Sequence, residues 1–181
     1  CLDSARRLNE VLGTLRSMFI DKSERHQIVQ VRQVLEAVRD LISQEAARSE
    51  IELRIESDGE LRVRGRQSEL QHALLNLAIN GMQALQHTAA QDKAVILSAS
   101  VSTEGVRIGV TDNGPGVLDE QLPRLFELMD SEKPEGMGIG LWICRHIAER
   151  HEGTITHRPN RPRGAVFEIT LPHDAMQGLP A

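Results

Sequence analysis

The apolar period of this chain changes repeatedly along its length, and those changes restrict it to a fold that mixes helices with sheet. Val31, Val34, Leu35, Val38, Leu41 and Ile42 recur at helical steps, which puts one apolar stripe on one helix face. Ile51 to Ile55 and Leu61 to Val63 alternate instead, as half-buried strands do, around an Asp58-Gly59 pair that predicts a hairpin. Helical spacing returns in a long stretch from about Ser68. Alternation returns over Val95 to Val101 and Val106 to Val110, with a Thr103-Glu104-Gly105 turn between them. A helix is then predicted from Ile139 to Arg150, with Leu141, Cys144, Ile147 and Ala148 inward. Thr154 to His157 and Ala165 to Leu171 form a last strand pair, joined through Pro159, Pro162 and Gly164. One-sided helices and one-sided strands bury their apolar faces against each other. The expected class is therefore α+β, a two-layer α/β sandwich with about five strands in a mixed sheet and about three helices on one side.

With 181 residues, of which 40% are hydrophobic and 26% charged, the chain holds enough apolar material for one ordinary domain with a helical appendage. A formal net charge of -5 gives no general attraction to nucleic acid, so any phosphate must be held by local geometry. Cys1 and Cys144 stand far apart, a usage that fits a reducing compartment, and the cytosol is the expected location. No apolar run reaches membrane-spanning length, and no signal pattern opens the chain. A first stripe, Leu2, Ala5, Leu8, Leu12, Leu15 and Phe19, precedes the polar break Asp21 to Arg25. It needs a partner, either the domain body or a two- or four-helix dimer seam. The sequence starts inside that stripe without Met, so the natural protein is expected to continue upstream.

Three blocks carry chemistry. Asn76 and Asn80 lie four residues apart on the long helix, sharing a face opposite Leu70, Leu74, Leu77 and Leu85. Two amides then line a groove, or else they are solvated surface groups. An Asn carbonyl oxygen is a neutral hard ligand suited to a Mg²⁺ that also holds phosphate oxygens, and Asn80 is the candidate ligand. Asp112-Asn113-Gly114-Pro115-Gly116 follows a strand directly. A carboxylate fixed there accepts a hydrogen bond from an exocyclic amino group such as that of adenine, while Gly114 and Gly116 let backbone approach a flat base. The same five residues also make good turn chemistry. Gly136-Met137-Gly138-Ile139-Gly140-Leu141 opens a helix, where successive N–H groups and the helix dipole suit a polyphosphate. Its spacing matches neither a dinucleotide fingerprint nor a Walker loop. Val117 to Glu135, with Phe126 and Lys133, is polar and long enough to be a lid over nucleotide.

In this order the blocks resemble the N, G1 and G2 boxes of the histidine-kinase branch of the Bergerat-fold ATPases. Leu74 to Asn80 resembles the N box, Asp112 to Gly116 the D-x-G-x-G motif, Phe126 the F box, and Lys133 to Leu141 the G2 box. Gly164 to Phe167 and Leu171-Pro172 resemble the closing strand, so the likeness runs from about residue 28 to 173. It implies ATP with adenine on Asp112, Gly114 and Gly116, Mg²⁺ on Asn80, and phosphates near Asn76, Lys133, Gly136, Gly138, Ile139, Gly140 and Leu141. Asn76, Asn80 and Lys133 would be the catalytic set. The γ-phosphoryl group would pass to a histidine of the dimerisation domain, and from a homodimeric full-length sensor kinase to a response regulator receiver domain. On this reading residues 1–25 are part of a dimerisation helix, 26–175 the catalytic ATP-binding domain and 176–181 a tail, of a parent for which a membrane anchor is compatible with a cytoplasmic kinase.

The family's H-E-x-x-[NT]-P acceptor box is absent, since Arg25-His26-Gln27-Ile28 has neither the adjacent acid nor the proline. Gln83 stands where a Lys or Arg is frequent, Arg66 where an acid is frequent, and Ser131-Glu132 replaces a Thr pair, placing an acid beside Lys133. Such an acid would weaken ATP binding by like-charge repulsion. Gyrase and MutL types carry a general-base Glu where this chain has Asn76, and an amide cannot accept water's proton. The alternative to a kinase is a degenerate nucleotide-responsive interaction module. His72, His87, His146, His151, His157 and His173 show no metal-ligand spacing and read as structural or solvated, with His151 near a helix end where a cation is favourable.

Overall fold

The structure, a computed structural model, describes residues 26–86, 88, 91–127 and 139–172. The first apolar stripe, Ser131-Glu132, Lys133, Gly136, Gly138, His87 and His173 lie outside the described residues.

The chain runs β1 (Gln27–Gln30), α1 (Val31–Arg48), β2 (Glu52–Ser57), β3 (Arg62–Gly65), α2 (Gln67–Gln86), β4 (Ala94–Val101), β5 (Val106–Asp112), a 3-10 helix (Asp119–Arg124), α3 (Gly140–Arg150), β6 (Thr154–Pro159) and β7 (Ala165–Leu171). Five strands form one sheet in the order β2-β4-β5-β7-β6. β2 pairs parallel to β4, and the remaining neighbours are antiparallel. α2 packs between α1 and α3 and crosses β5, α1 lies over β2, and α3 lies over β6. This is the expected two-layer α/β sandwich, with the helices on one face.

The core lies between the layers. Val34, Leu35 and Val38 of α1, Leu70, Leu74, Leu77 and Leu85 of α2, and Val95, Leu97, Ile108, Val110 and Ile169 of the sheet are all buried. Each such side chain contributes about 1.5–3 kcal/mol on leaving water, which outweighs the modest helix propensity of the β-branched residues in α1. In α3 the buried residues are Ile143, Cys144, Ile147 and Ala148, whereas Leu141 is only half-buried. Ile143 thus takes the inward place expected of Leu141.

The hairpin expected around Asp58-Gly59 does not form. The chain does turn there, with Gly59 at φ 71° and the Asp58 N–H on the Ala99 carbonyl at 3.0 Å, but β2 and β3 enter different sheets. β3 pairs antiparallel with β1 in a two-stranded ribbon, Gln27 opposite Gly65 and Gln30 opposite Arg62. Burial explains the choice. Val29 and Val63 enter the core from the ribbon, while Leu53 and Ile55 of β2 pack onto the core beside β4.

Candidate functional site

α2 presents its leucines to the core and leaves Asn76 and Asn80 half-buried on another face. Neither is a freely solvated amide. Asn76 Nδ2 lies 3.4 Å from Nε2 of His72, one turn earlier. The thiol of Cys144, on α3, donates to the Ala73 carbonyl at 3.4 Å, and the Asn76 amide bonds it as well. Burial pushes that thiol up to about 12, against the smaller opposite pull of Asn76. Asn76 therefore stands where α2 and α3 meet.

Asp112 ends β5 and is buried, only 4% exposed. Its Oδ1 accepts the Gly114 N–H at 2.8 Å and the Ala165 N–H at 3.3 Å. Burial raises its pKa, and the two N–H donors work in the lowering direction. Asn113 fastens the neighbouring backbone, accepting the Ala94 N–H at 2.8 Å and donating to the Asp92 carbonyl at 2.5 Å. Gly114 is closely packed, since a Cβ there would stand 3.0 Å from Asp112 Oδ1 and 3.3 Å from Ala84 Cβ, so any larger residue would have to push these groups aside. Gly116 is required by its φ of 83°. The five-residue segment is thus both a turn and the seat of a fixed carboxylate.

The blocks converge on α2. A Cβ on Gly81 would lie 3.4 Å from Asp112 Cβ and 3.7 Å from Oδ2, so the residue after Asn80 faces the carboxylate. A Cβ on Gly140, at the start of α3, would lie 4.0 Å from Asn80 Nδ2. One helix accordingly approaches the end of β5 on one side and Gly140, the last glycine of the glycine-rich segment, on the other. Ile139 and Leu141 are half-buried beside Gly140 and pack against the core. Residues 65–175 match the family described as histidine kinase-, DNA gyrase B- and HSP90-like ATPase. The chain belongs to that family.

The match starts after β1, α1, β2 and most of β3, later than the residue 28 suggested by the motifs. Sensor histidine kinase ZraS of Escherichia coli (strain K12) is 33% identical over 169 residues, 93% of this chain and 36% of that protein. The chain thus spans about a third of that relative's length. The catalytic domain of histidine kinase ThkA is 26% identical, with a TM-score of 0.72 over 82% of this chain and 95% of that one. Full-length ShkA, solved in complex with AMPPNP, is 27% identical, with a TM-score of 0.70 over 84% of this chain and 32% of that one.

Within this ATP-binding fold, the departures noted in the sequence take on physical form. Arg66 is matched locally, since its Nη1 lies 3.0 Å from Glu69 Oε1, which Arg150 Nη2 also meets at 3.0 Å. Gln83 is exposed on α2. Phe126 is half-buried, its ring edge-on to Phe167 at 6.3 Å, so the first part of the expected lid is anchored to the sheet and contains the 3-10 helix Asp119–Arg124. Of its two readings, structural or solvated, His151 takes the structural one. It is 3% exposed, accepts the Arg66 N–H at Nε2 (3.0 Å), and so carries its proton on Nδ1, which donates to the Ile147 carbonyl at 2.7 Å. Burial lowers its pKa, and its ring stacks on His26 at 5.1 Å. The motifs missed Asn160, which donates to the Asp112 carbonyl at 2.9 Å, and named Gly164 only as the start of the closing strand, without its approach to that oxygen, from which its Cβ would stand 2.0 Å. A glycine between two strands is an ordinary turn signal, and nothing in its neighbours points back to residue 112.

Proposed function

We propose that this chain is the catalytic ATP-binding unit of a sensor histidine kinase. ATP would be held with adenine on Asp112, Gly114 and Gly116, and with its phosphates toward Asn76, Lys133 and the turn from Gly136 through Gly138 and Ile139 to Gly140 and Leu141. The observation that carries this reading is the convergence on α2: Asn80 against Gly140, and Gly81 against Asp112. The Asp112 carboxylate and Gly140 thus lie on two sides of α2, an arrangement that supports adenine on the one and phosphates on the other.

Asn80 suits Mg²⁺. Among the described residues no group of three His, Cys, Asp or Glu side chains could hold a metal alone, so an ion here would depend on phosphate oxygens with the neutral amide as one added ligand. Bound Mg²⁺ would neutralise phosphate charge. The chain's own residues do the rest by position: Asp112 orients the base, and Asn76, where α2 meets α3, faces the phosphates. A γ-phosphoryl group aligned this way would pass to an imidazole nitrogen of a histidine in the dimerisation domain, and later to a receiver-domain carboxylate. In this reading the acceptor histidine belongs to the dimerisation domain of a homodimeric sensor kinase. The ZraS-like sensor kinases support this reading, as does the amide at residue 76, which cannot act as the base for water. No helix among the described residues is long and apolar enough to cross a membrane.

Calorimetric titration with a non-hydrolysable ATP analogue tests the site. Binding should strengthen with Mg²⁺, and Asn80→Ala should remove that strengthening. No binding at millimolar nucleotide would reject the kinase reading in favour of an interaction module.

A further inference from the structure

Asp112 is gripped by a loop far from it in sequence. Asn160 follows β6, and its backbone N–H closes the loop on the Gly164 carbonyl at 3.0 Å. Its side-chain amide reaches across and donates to the Asp112 carbonyl at 2.9 Å. The same loop ends at Ala165, whose N–H donates to Asp112 Oδ1 at 3.3 Å. Gly164 lies between them at φ 110°, so close that a Cβ would stand 2.0 Å from the Asp112 carbonyl oxygen. The β5–β7 ladder stops at Thr111 opposite Val166, one residue short of this place.

We propose that Asn160 is a positioning residue for adenine recognition, holding the Asp112 carbonyl so that the Asp112 side chain keeps one carboxylate oxygen for the base. The inference rests on the ATP-site reading above. With the carbonyl already served by the amide, the Ala165 N–H is left to the carboxylate, where it joins Gly114 on Oδ1. Among the described residues both donors to the carboxylate, the N–H groups of Gly114 and Ala165, go to that oxygen, and Oδ2 faces α2 at Gly81. An oxygen held this way accepts from an exocyclic amino group and repels a ring carbonyl, so the grip supports adenine over guanine. Without Asn160 the carbonyl competes for the Ala165 N–H, Oδ1 loses a donor, and the carboxylate is freer to turn.

The test compares the 181-residue chain with Asn160→Ala and the nearly isosteric, uncharged Asn160→Leu, which keeps the bulk but removes the donor. ATP affinity is measured alongside competition by Mg²⁺-tripolyphosphate, a probe with no base. Loss of one hydrogen bond predicts ATP affinity lower by roughly three- to tenfold in both variants, with GTP affected less and tripolyphosphate unchanged. Unchanged ATP affinity in either variant overturns the role, as does a proportional loss for ATP and tripolyphosphate, which would mean general loosening. If the unaltered chain binds no ATP analogue, the site reading itself fails, and this inference with it.

Discussion

Replacing Asp112 with Asn separates the cost of burying a carboxylate from its use. The amide can keep its oxygen in the place of Oδ1, where the N–H groups of Gly114 and Ala165 still have an acceptor. An NH₂ then replaces Oδ2 and meets the adenine amino group donor to donor. A hydrogen bond to a charged group is worth about 1.5–3 kcal/mol, so ATP affinity should fall at least ten- to 150-fold or so. Folding should respond differently. The carboxylate's pKa is raised in the folded state, chiefly by burial, so the ionised group opposes folding above that pKa and the neutral amide removes the opposition. The nucleotide-free variant should melt at the same temperature as the parent chain or higher at pH 7.5. Calorimetric titration supplies the affinity and differential scanning calorimetry the stability. Unchanged ATP affinity would refute the adenine assignment, and a melting temperature several degrees lower would refute the account of burial.

Gly164→Ala should destabilise the fold, because φ 110° strains any side chain and the new Cβ would overlap the Asp112 carbonyl; urea denaturation should show a loss of at least about 1–3 kcal/mol. Acid should destabilise the domain as well. His72, His151 and His157 all have pKa values lowered by burial, so the unfolded chain takes up protons first as pH falls through its ordinary value of about 6.5. The stability they confer is present above that pH and declines below it until the folded values are passed; Asp112 works in the opposite direction at lower pH. Thermal melts from pH 7.5 to 5 should show the decline, and His151→Gln should flatten it. Cys144, with its thiol near 12, should resist iodoacetamide at pH 8 and react only in denaturant; labelling at the rate of a free thiol would contradict its burial.

The sequence was most readable where one period ran for several turns. α2 could be placed from its leucines, and the four-residue interval of Asn76 and Asn80 then required a shared face. Asp112 was visible because a carboxylate directly after a buried strand inherits the strand's rigidity. The β1–β3 ribbon was hidden because four-residue strands carry too little alternation to outweigh a strong Asp-Gly turn. His151 left two readings open because a helix end also favours a solvated cation; burial and the Arg66 N–H, which fixes its tautomer, select the structural one. Asn160 and Gly164 act across 48 and 52 residues of chain, a separation at which local pattern says nothing about contact.

The ribbon also determines how the domain would carry load. Gln27 sits at the upstream end of β1 and is paired with Gly65, two residues before α2 begins. Tension along the strand at residue 27 would strain the ribbon's hydrogen bonds together, as shear, rather than opening them one after another. Part of it would pass along the chain into α1, which follows β1 directly, and part across the Gln27–Gly65 pair to the root of the helix that carries Asn76 and Asn80.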